Sequence, residues 1–162
     1  MIRTATIYDS PGITSIYNHY IEHSISTFQE KRIEPSFIEE KISNTPAHCP
    51  WLVYEENNEV LGYAYASPWK AREAYRHSVE ISVYTHPDYN GKGMGSQLYE
   101  ELIRRLRSFN IHAVIGGISL PNAASVALHE KFGFEKVAHF KEVGYKFEQW
   151  IDVGYWELVL DA

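Results

Sequence analysis

One stretch narrows the possible folds more than any other: Val79 to Ser96, Val-Glu-Ile-Ser-Val-Tyr-Thr-His-Pro-Asp-Tyr-Asn-Gly-Lys-Gly-Met-Gly-Ser. An apolar, β-branched run meets a proline, then glycines at alternate positions 91, 93 and 95, then a segment of helical periodicity. The pattern predicts a buried strand, a tight loop and a helix. Glycines let a backbone approach a ligand closely. Amides of the loop and of the helix start then converge on one point, which suits a phosphate or pyrophosphate. Asn90, Gly91, Lys92, Gly93, Met94, Gly95 and Ser96 are therefore candidate cofactor contacts. Glu80 adds a carboxylate on the strand that leads into the loop.

The rest of the chain supplies a setting for that unit. With 162 residues and 44% hydrophobic content, it suits one globular domain. A net charge of −6 without a basic block argues against nucleic acid. No apolar run reaches the ~20 residues that span a bilayer, and no signal-peptide pattern opens the chain. A single cysteine, Cys49, allows no internal disulfide framework and suits a reducing cytoplasm. Predicted strands are Ile2–Thr6, Trp51–Glu55, Val60–Ser67, His77–Thr85, Ile111–Ser119, Glu135–Phe140 and Gly154–Leu160. Predicted helices begin after Asp9, at a Ser36–Glu39 capping box, and over Gly95–Ser108 and Ala123–Phe132. Asn57-Asn58 marks a hairpin turn and Gly133 a helix C-cap. Helices interleaved with partly hairpin strands define a mixed α/β domain.

Phosphate-loop alternatives fail on spacing. A P-loop needs Lys-Ser/Thr directly after its last glycine, whereas Lys92 precedes Gly93. A dinucleotide loop needs Gly-x-Gly-x-x-Gly, whereas position 96 is serine. His19-Tyr-Ile-Glu22-His23 matches the H-x-x-E-H zinc pattern formally. It lies on the helix side opposite Ile13, Ile16, Tyr17, Tyr20 and Ile21, without a convincing third ligand, so no metal site is assigned.

Asn90-Gly-Lys-Gly93-Met-Gly95 resembles the acyl-CoA pyrophosphate loop of the GNAT acetyltransferases, with asparagine in place of the usual first residue. Asn122-x-x-Ser125-x-x-x-His129-x-Lys131-x-Gly133-Phe134 resembles the second GNAT signature. Ala64–Arg76, Val79-Glu80, Ser82–Tyr84, Asn18–Glu22, Leu120–Asn122, Gly144–Lys146 and Trp150–Gly154 look like the phosphinothricin acetyltransferase family, over nearly the whole chain. In that family a histidine commonly stands at the position of His129. The resemblance implies one GNAT-like domain over residues 1–162, with a central twisted mixed sheet of six to seven strands flanked by helices. It also implies acetyl-CoA as co-substrate, with Asn122 and Ser125 among its contacts, an interrupted strand near Val83–Thr85, and a homodimer.

The residues suggest how such chemistry would run. Alternation on the strand puts Glu80, Ser82 and Tyr84 on one face and Val79, Ile81 and Val83 on the other. An attacking amine must lose a proton, and Glu80 is the candidate base; the alternative is a structural pair with Arg76 or Lys146. Backbone groups of Val83, Tyr84 and Thr85 are candidates to bind the pantetheine arm. His129 either protonates the departing thiolate or packs as a locally bonded histidine. Arg72 and Arg76 offer forks for a carboxylate or phosphinate, with Phe28, Tyr75 and Lys146 as further pocket-wall candidates. The expected reaction moves an acetyl group to the primary amine of a small amino-acid-like acceptor, such as phosphinothricin or methionine sulfoximine. A protein N-terminus as acceptor, and a non-catalytic acyl-CoA sensor, are the alternatives.

Overall fold

A computed structural model describes residues 1–161. Its strands are β1 (Ile2–Thr4), β2 (Trp51–Glu56), β3 (Glu59–Pro68), β4 (Ser78–Thr85), β5 (Ala113–Leu120), β6 (Glu135–Lys146) and β7 (Gln149–Val159). Its helices are α1 (Ser10–His23), α2 (Pro35–Asn44), α3 (Met94–Ser108) and α4 (Ala123–Lys131). The strands form one seven-stranded sheet, ordered β1-β2-β3-β4-β5-β7-β6. Among the described residues only the β4–β5 pair is parallel, so the sheet is mixed.

Local chemistry explains most of these elements. Asn57 and Asn58 take φ of +53° and +63° in the two-residue turn between β2 and β3. That turn needs two left-handed residues, which asparagine tolerates better than most. On α3, Met94, Leu98, Leu102 and Leu106 recur every fourth residue and are 0–5% exposed. They pack with Val79 and Ile81 of β4 in one core cluster. On the other face of the sheet, α1 contributes Ile13, Ile16 and Ile21 to a second cluster with Val53 and Tyr63. Each fully buried aliphatic side chain contributes roughly 1.5–3 kcal/mol.

The decisive feature of the topology is a fork. Ser78, Val79 and Glu80 face Ala113, Val114 and Ile115 in parallel register. Beyond Glu80 the strands part. Among the described residues, β4 continues to Thr85 paired with β3 alone, and β5 continues to Leu120 paired with β7 alone. The interrupted strand implied by the family resemblance is therefore present, and its cause is register.

Two local expectations change. The second helix begins at Pro35 rather than Ser36, with Glu34 as N-cap and no side-chain cap bond. Proline is preorganised for the first helical position, so it starts the helix and displaces the expected capping box. The last two strands are longer than the sequence suggested and form one hairpin. Its turn uses Phe147 and Glu148 at φ of +53° and +61°. Neither residue signals a left-handed turn, so the sequence hid it. Among the described residues, no helix is long and apolar enough to cross a membrane.

Candidate active site

The glycine loop is built as a receptor for an anion. Gly91 and Gly93 take φ of +77° and +80°, and Gly93 is the N-cap of α3. Left-handed backbone at the cap turns the loop under the helix start, where a helix has unpaired N–H groups. The first amide of this region to find a carbonyl is that of Gln97, bonded to Gly93 O. Among the described residues, no amide from Gly91 to Ser96 donates to another protein group. A Cβ added at Gly91 would meet nothing within 4 Å, so the loop faces open space.

A cleft of about 490 Å³ lies against these amides. Val83, Tyr84 and Thr85 of the free part of β4 line it. So do Asn90, Gly91, Gly93, Met94, Gly95 and Ser96, and Asn122 and Ser125 at the start of α4. Asn122 also caps that helix, its side chain accepting from Ser125 N at 3.1 Å. The Asn90 side-chain oxygen accepts from Thr85 Oγ1, joining the loop to the end of β4. Lys92 does not line the cleft; its ammonium sits 5.0 Å over the Tyr89 ring. Lys131 of α4 supplies a lining cation instead and donates to Ser96 Oγ at 3.1 Å.

Glu80 stands at the apex of the fork, on the opposite face of β4 from Val79 and Ile81. Two glycines of β5 make the room there. A Cβ at Gly117 would lie 3.1 Å from Tyr155 and 3.5 Å from Glu80 Oε1. A Cβ at Gly116, on the helix side, would lie 2.4 Å from His129 Nε2. Glu80 makes no ion pair among the described residues, so the alternative pairing with Arg76 or Lys146 is not formed. Burial pushes its carboxyl up, and the positive charge of Lys70 works against that rise.

His129 is 3% exposed and is not among the cleft residues. Its Nδ1 lies 2.7 Å from Ser125 O, and its Nε2 3.2 Å from the Tyr99 hydroxyl. A carbonyl only accepts, so Nδ1 carries the proton and Nε2 accepts from Tyr99. Burial lowers the imidazole pKa, against the opposing hydrogen bond to Ser125.

The acceptor-side candidates are scattered. Tyr75 lies in an exposed 3-10 turn, and the Arg76 guanidinium donates to Glu73 O at 3.1 Å. Phe28 packs against Gly144, and Lys146 is buried among carbonyls. Arg72 precedes the same 3-10 turn as its N-cap. Sequence reasoning missed Lys70, Lys131, Tyr99 and Tyr155, which touch the site only through the fold. The adjacent pair Gly116-Gly117 inside an apolar strand was a usable signal, since glycine in a strand often marks a close approach.

A sheet opened by a fork, with free loop amides on one side and an unpaired carboxylate at its apex, defines an acyl-CoA-dependent transferase. The model of the acetyltransferase (GNAT) family matches residues 13–134, and the chain belongs to that family. It is an acetyl-CoA-dependent N-acetyltransferase. It is 38% identical over 161 residues to the L-amino acid N-acyltransferase MnaT of Escherichia coli, covering 99% of this chain and 94% of that protein. It is 38% identical to a phosphinothricin N-acetyltransferase of Streptomyces viridochromogenes, covering 96% of this chain and 85% of that one. A crystal structure of a GNAT superfamily phosphinothricin acetyltransferase from Sinorhizobium meliloti, in complex with acetyl-CoA, superposes with a TM-score of 0.94. It is 32% identical, over 99% of this chain and 88% of that one.

Proposed function

We propose that this enzyme acetylates the primary amine of a small amino-acid-like acceptor, of the phosphinothricin or methionine sulfoximine kind. The observation that carries the reading is the division of labour across the fork. Unbonded amides from Gly91 to Ser96 face the cleft, and an unpaired Glu80 occupies the other face. Gly91, Gly93, Met94, Gly95 and Ser96 hold the diphosphate of acetyl-CoA through their N–H groups, and Lys131 adds charge. Val83 and Thr85 orient the pantetheine arm along the open edge of β4. Acetyl-CoA supplies the activated thioester. Glu80 removes a proton from the acceptor ammonium, so that nitrogen can form the N–C bond as the C–S bond breaks. Its raised pKa makes it a stronger base than an exposed carboxylate. His129 is neutral with Nε2 already accepting, so it holds no proton toward a thiolate. We assign it a positioning role, and a thiol of pKa ~8.5 departs unaided.

Lys70 lies near Glu80 and is our candidate to meet an acidic group on the acceptor. We further propose a homodimer. Val137, Phe140, Val143, Tyr145, Phe147 and Trp150 stay 50–66% exposed on the β6–β7 hairpin. An apolar patch of that kind marks an association surface. Sedimentation should give twice 18.7 kDa, and a particle of 18.7 kDa would remove the dimer. Acetyl-CoA and an unbridged Cys49 fit a reducing cytoplasm.

The test is an acetyl-CoA consumption screen over amino acids, their phosphinate and sulfoximine analogues, and short peptides, with product masses. Acetylation confined to peptide N-termini would redirect the assignment to a protein acceptor. Cofactor binding without any acetylated product would redirect it to a sensor.

A further inference from the structure

We propose that Lys146 is a positioning residue for acetyl transfer, reaching from the β6–β7 hairpin to hold the wall of the acyl cleft. The inference rests on the acetyltransfer reading, and it removes Lys146 from the acceptor pocket. Lys146 is the last residue of β6 and is 2% exposed. Its ammonium lies 2.6 Å from Ser24 O, 2.8 Å from Thr27 O and 3.5 Å from Tyr20 O. An ammonium has three donors, and all three are spent on these carbonyls. Two of the carbonyls belong to the end and C-cap of α1, the negative pole of that helix, where a cation is favoured.

The segment thus gripped is part of the site. Tyr20 and Ser26 line the cleft. The Tyr20 hydroxyl donates to Thr85 O at 2.5 Å, at the end of the open part of β4. The Tyr84 hydroxyl donates to Ser26 O at 3.4 Å, and the Tyr17 hydroxyl lies 2.8 Å from Thr27 Oγ1. A second contact locks the same two elements. The Phe28 ring fills the place of a side chain at position 144, where a Cβ would lie 2.3 Å away. Lys146 therefore ties the hairpin to α1, and α1 ties itself to the free edge of β4. The loop amides that grip the diphosphate, from Gly91 to Ser96, lie one step further along. This chain of contacts reaches the loop only at the Asn90 side chain, which accepts from Thr85 Oγ1 and lies 3.5 Å from the Tyr20 hydroxyl.

That separation sets the prediction. Losing the ammonium should loosen the wall beside the thioester and leave the diphosphate grip intact. A misplacement of about 1 Å at a reacting group can cost ~10²-fold in rate. Lys146→Met, Lys146→Gln and Lys146→Arg are compared with wild type for kcat, KM, acetyl-CoA Kd by calorimetry, and hydrogen exchange. Expected for Lys146→Met are a kcat at least tenfold lower, an acetyl-CoA Kd within threefold, and faster exchange over residues 24–29 and 81–85. Exchange over α3 should not change, and Lys146→Arg should recover part of kcat. Unchanged kcat and exchange in Lys146→Met would overturn the proposal, as would parallel loss of kcat and acetyl-CoA affinity. If Lys146→Met does not fold, Lys146→Gln, which keeps two donors, must show the same split between kcat and Kd. Hydrogen exchange and acetyl-CoA affinity need no acceptor. Absence of any wild-type acetylation would therefore sink the functional reading and leave these two measurements to judge Lys146.

Discussion

The Tyr99 hydroxyl lies 3.2 Å from Nε2 of His129 and 3.4 Å from the carbonyl of Ile81, the first residue of β4 beyond the fork. The single hydroxyl proton goes to Nε2, so the tyrosine meets the Ile81 carbonyl by close packing, and His129 fixes a buried tyrosine that lies against the opened strand. The histidine's own ring is fixed at the other end by Ser125. Buried and bonded at both nitrogens, the ring is a brace for Tyr99.

A pH dependence follows from that brace. Burial lowers the His129 pKa in the fold below its value of ~6.5 in the unfolded chain. The unfolded state then binds the extra proton more readily. This contribution to stability is complete above pH ~6.5 and is lost as pH falls through the folded pKa. Calorimetric Tm values at pH 7.5 and 5.5 should show a larger drop for wild type than for His129→Gln. Equal drops would show that His129 is not held neutral.

Glu80 should show the opposite sign. Its folded pKa is raised, so the buried carboxyl is tolerated best when protonated, and that advantage is lost as pH rises through the raised value. Glu80→Gln is expected to raise Tm at pH 7.5, with the difference closing below pH ~4. The same change should lower kcat by about 10²–10⁴-fold and leave acetyl-CoA affinity unaltered. Steady-state kinetics with calorimetry checks both, and unchanged turnover would remove Glu80 from the chemistry.

Gly116 makes room for the His129 ring, with only 2.4 Å available to a Cβ. Gly116→Ala should cost about 1–3 kcal/mol through overpacking. In a His129→Ala background the cost should shrink, because the ring that obstructs the methyl is gone. A double-mutant cycle in urea measures that coupling.

Gly93 is different in kind. The nearest atom to a Cβ there is 3.9 Å away, so the site is roomy, but φ is +80°. Gly93→Val should cost about 1–2 kcal/mol from left-handed backbone strain. It should also weaken acetyl-CoA binding at least tenfold, because a branched side chain would stand between the amides and the diphosphate. Calorimetry showing native affinity would refute the amide grip.

The glycine loop, the β2–β3 hairpin, the α3 stripe and the strand bearing Glu80 were legible because each is a short-range pattern. Asn57-Asn58 dictates a turn from two residues, and Leu98, Leu102 and Leu106 define a face from spacing alone. The hairpin turn at Phe147-Glu148 was not legible, since the turn is enforced by strand pairing on either side rather than by turn-forming residues. For His129 the sequence left two readings open, an acid or a locally bonded histidine, because the partners of its ring are Ser125 and Tyr99, and Tyr99 is thirty positions away.

The sequence by itself determined that a glycine-rich loop precedes a helix, that Glu80 and Val79 point to opposite faces, and that the family signatures are present. These follow from backbone periodicity and from the conformational freedom of glycine, which act within a few residues. Tertiary structure alone decided where β4 and β5 part, that Lys131 rather than Lys92 lines the cleft, and that Lys146 is consumed by three carbonyls at the end of α1 and in the segment after it. Those outcomes depend on register and burial between distant segments, where a side chain's partners are set by packing and not by its neighbours in the chain.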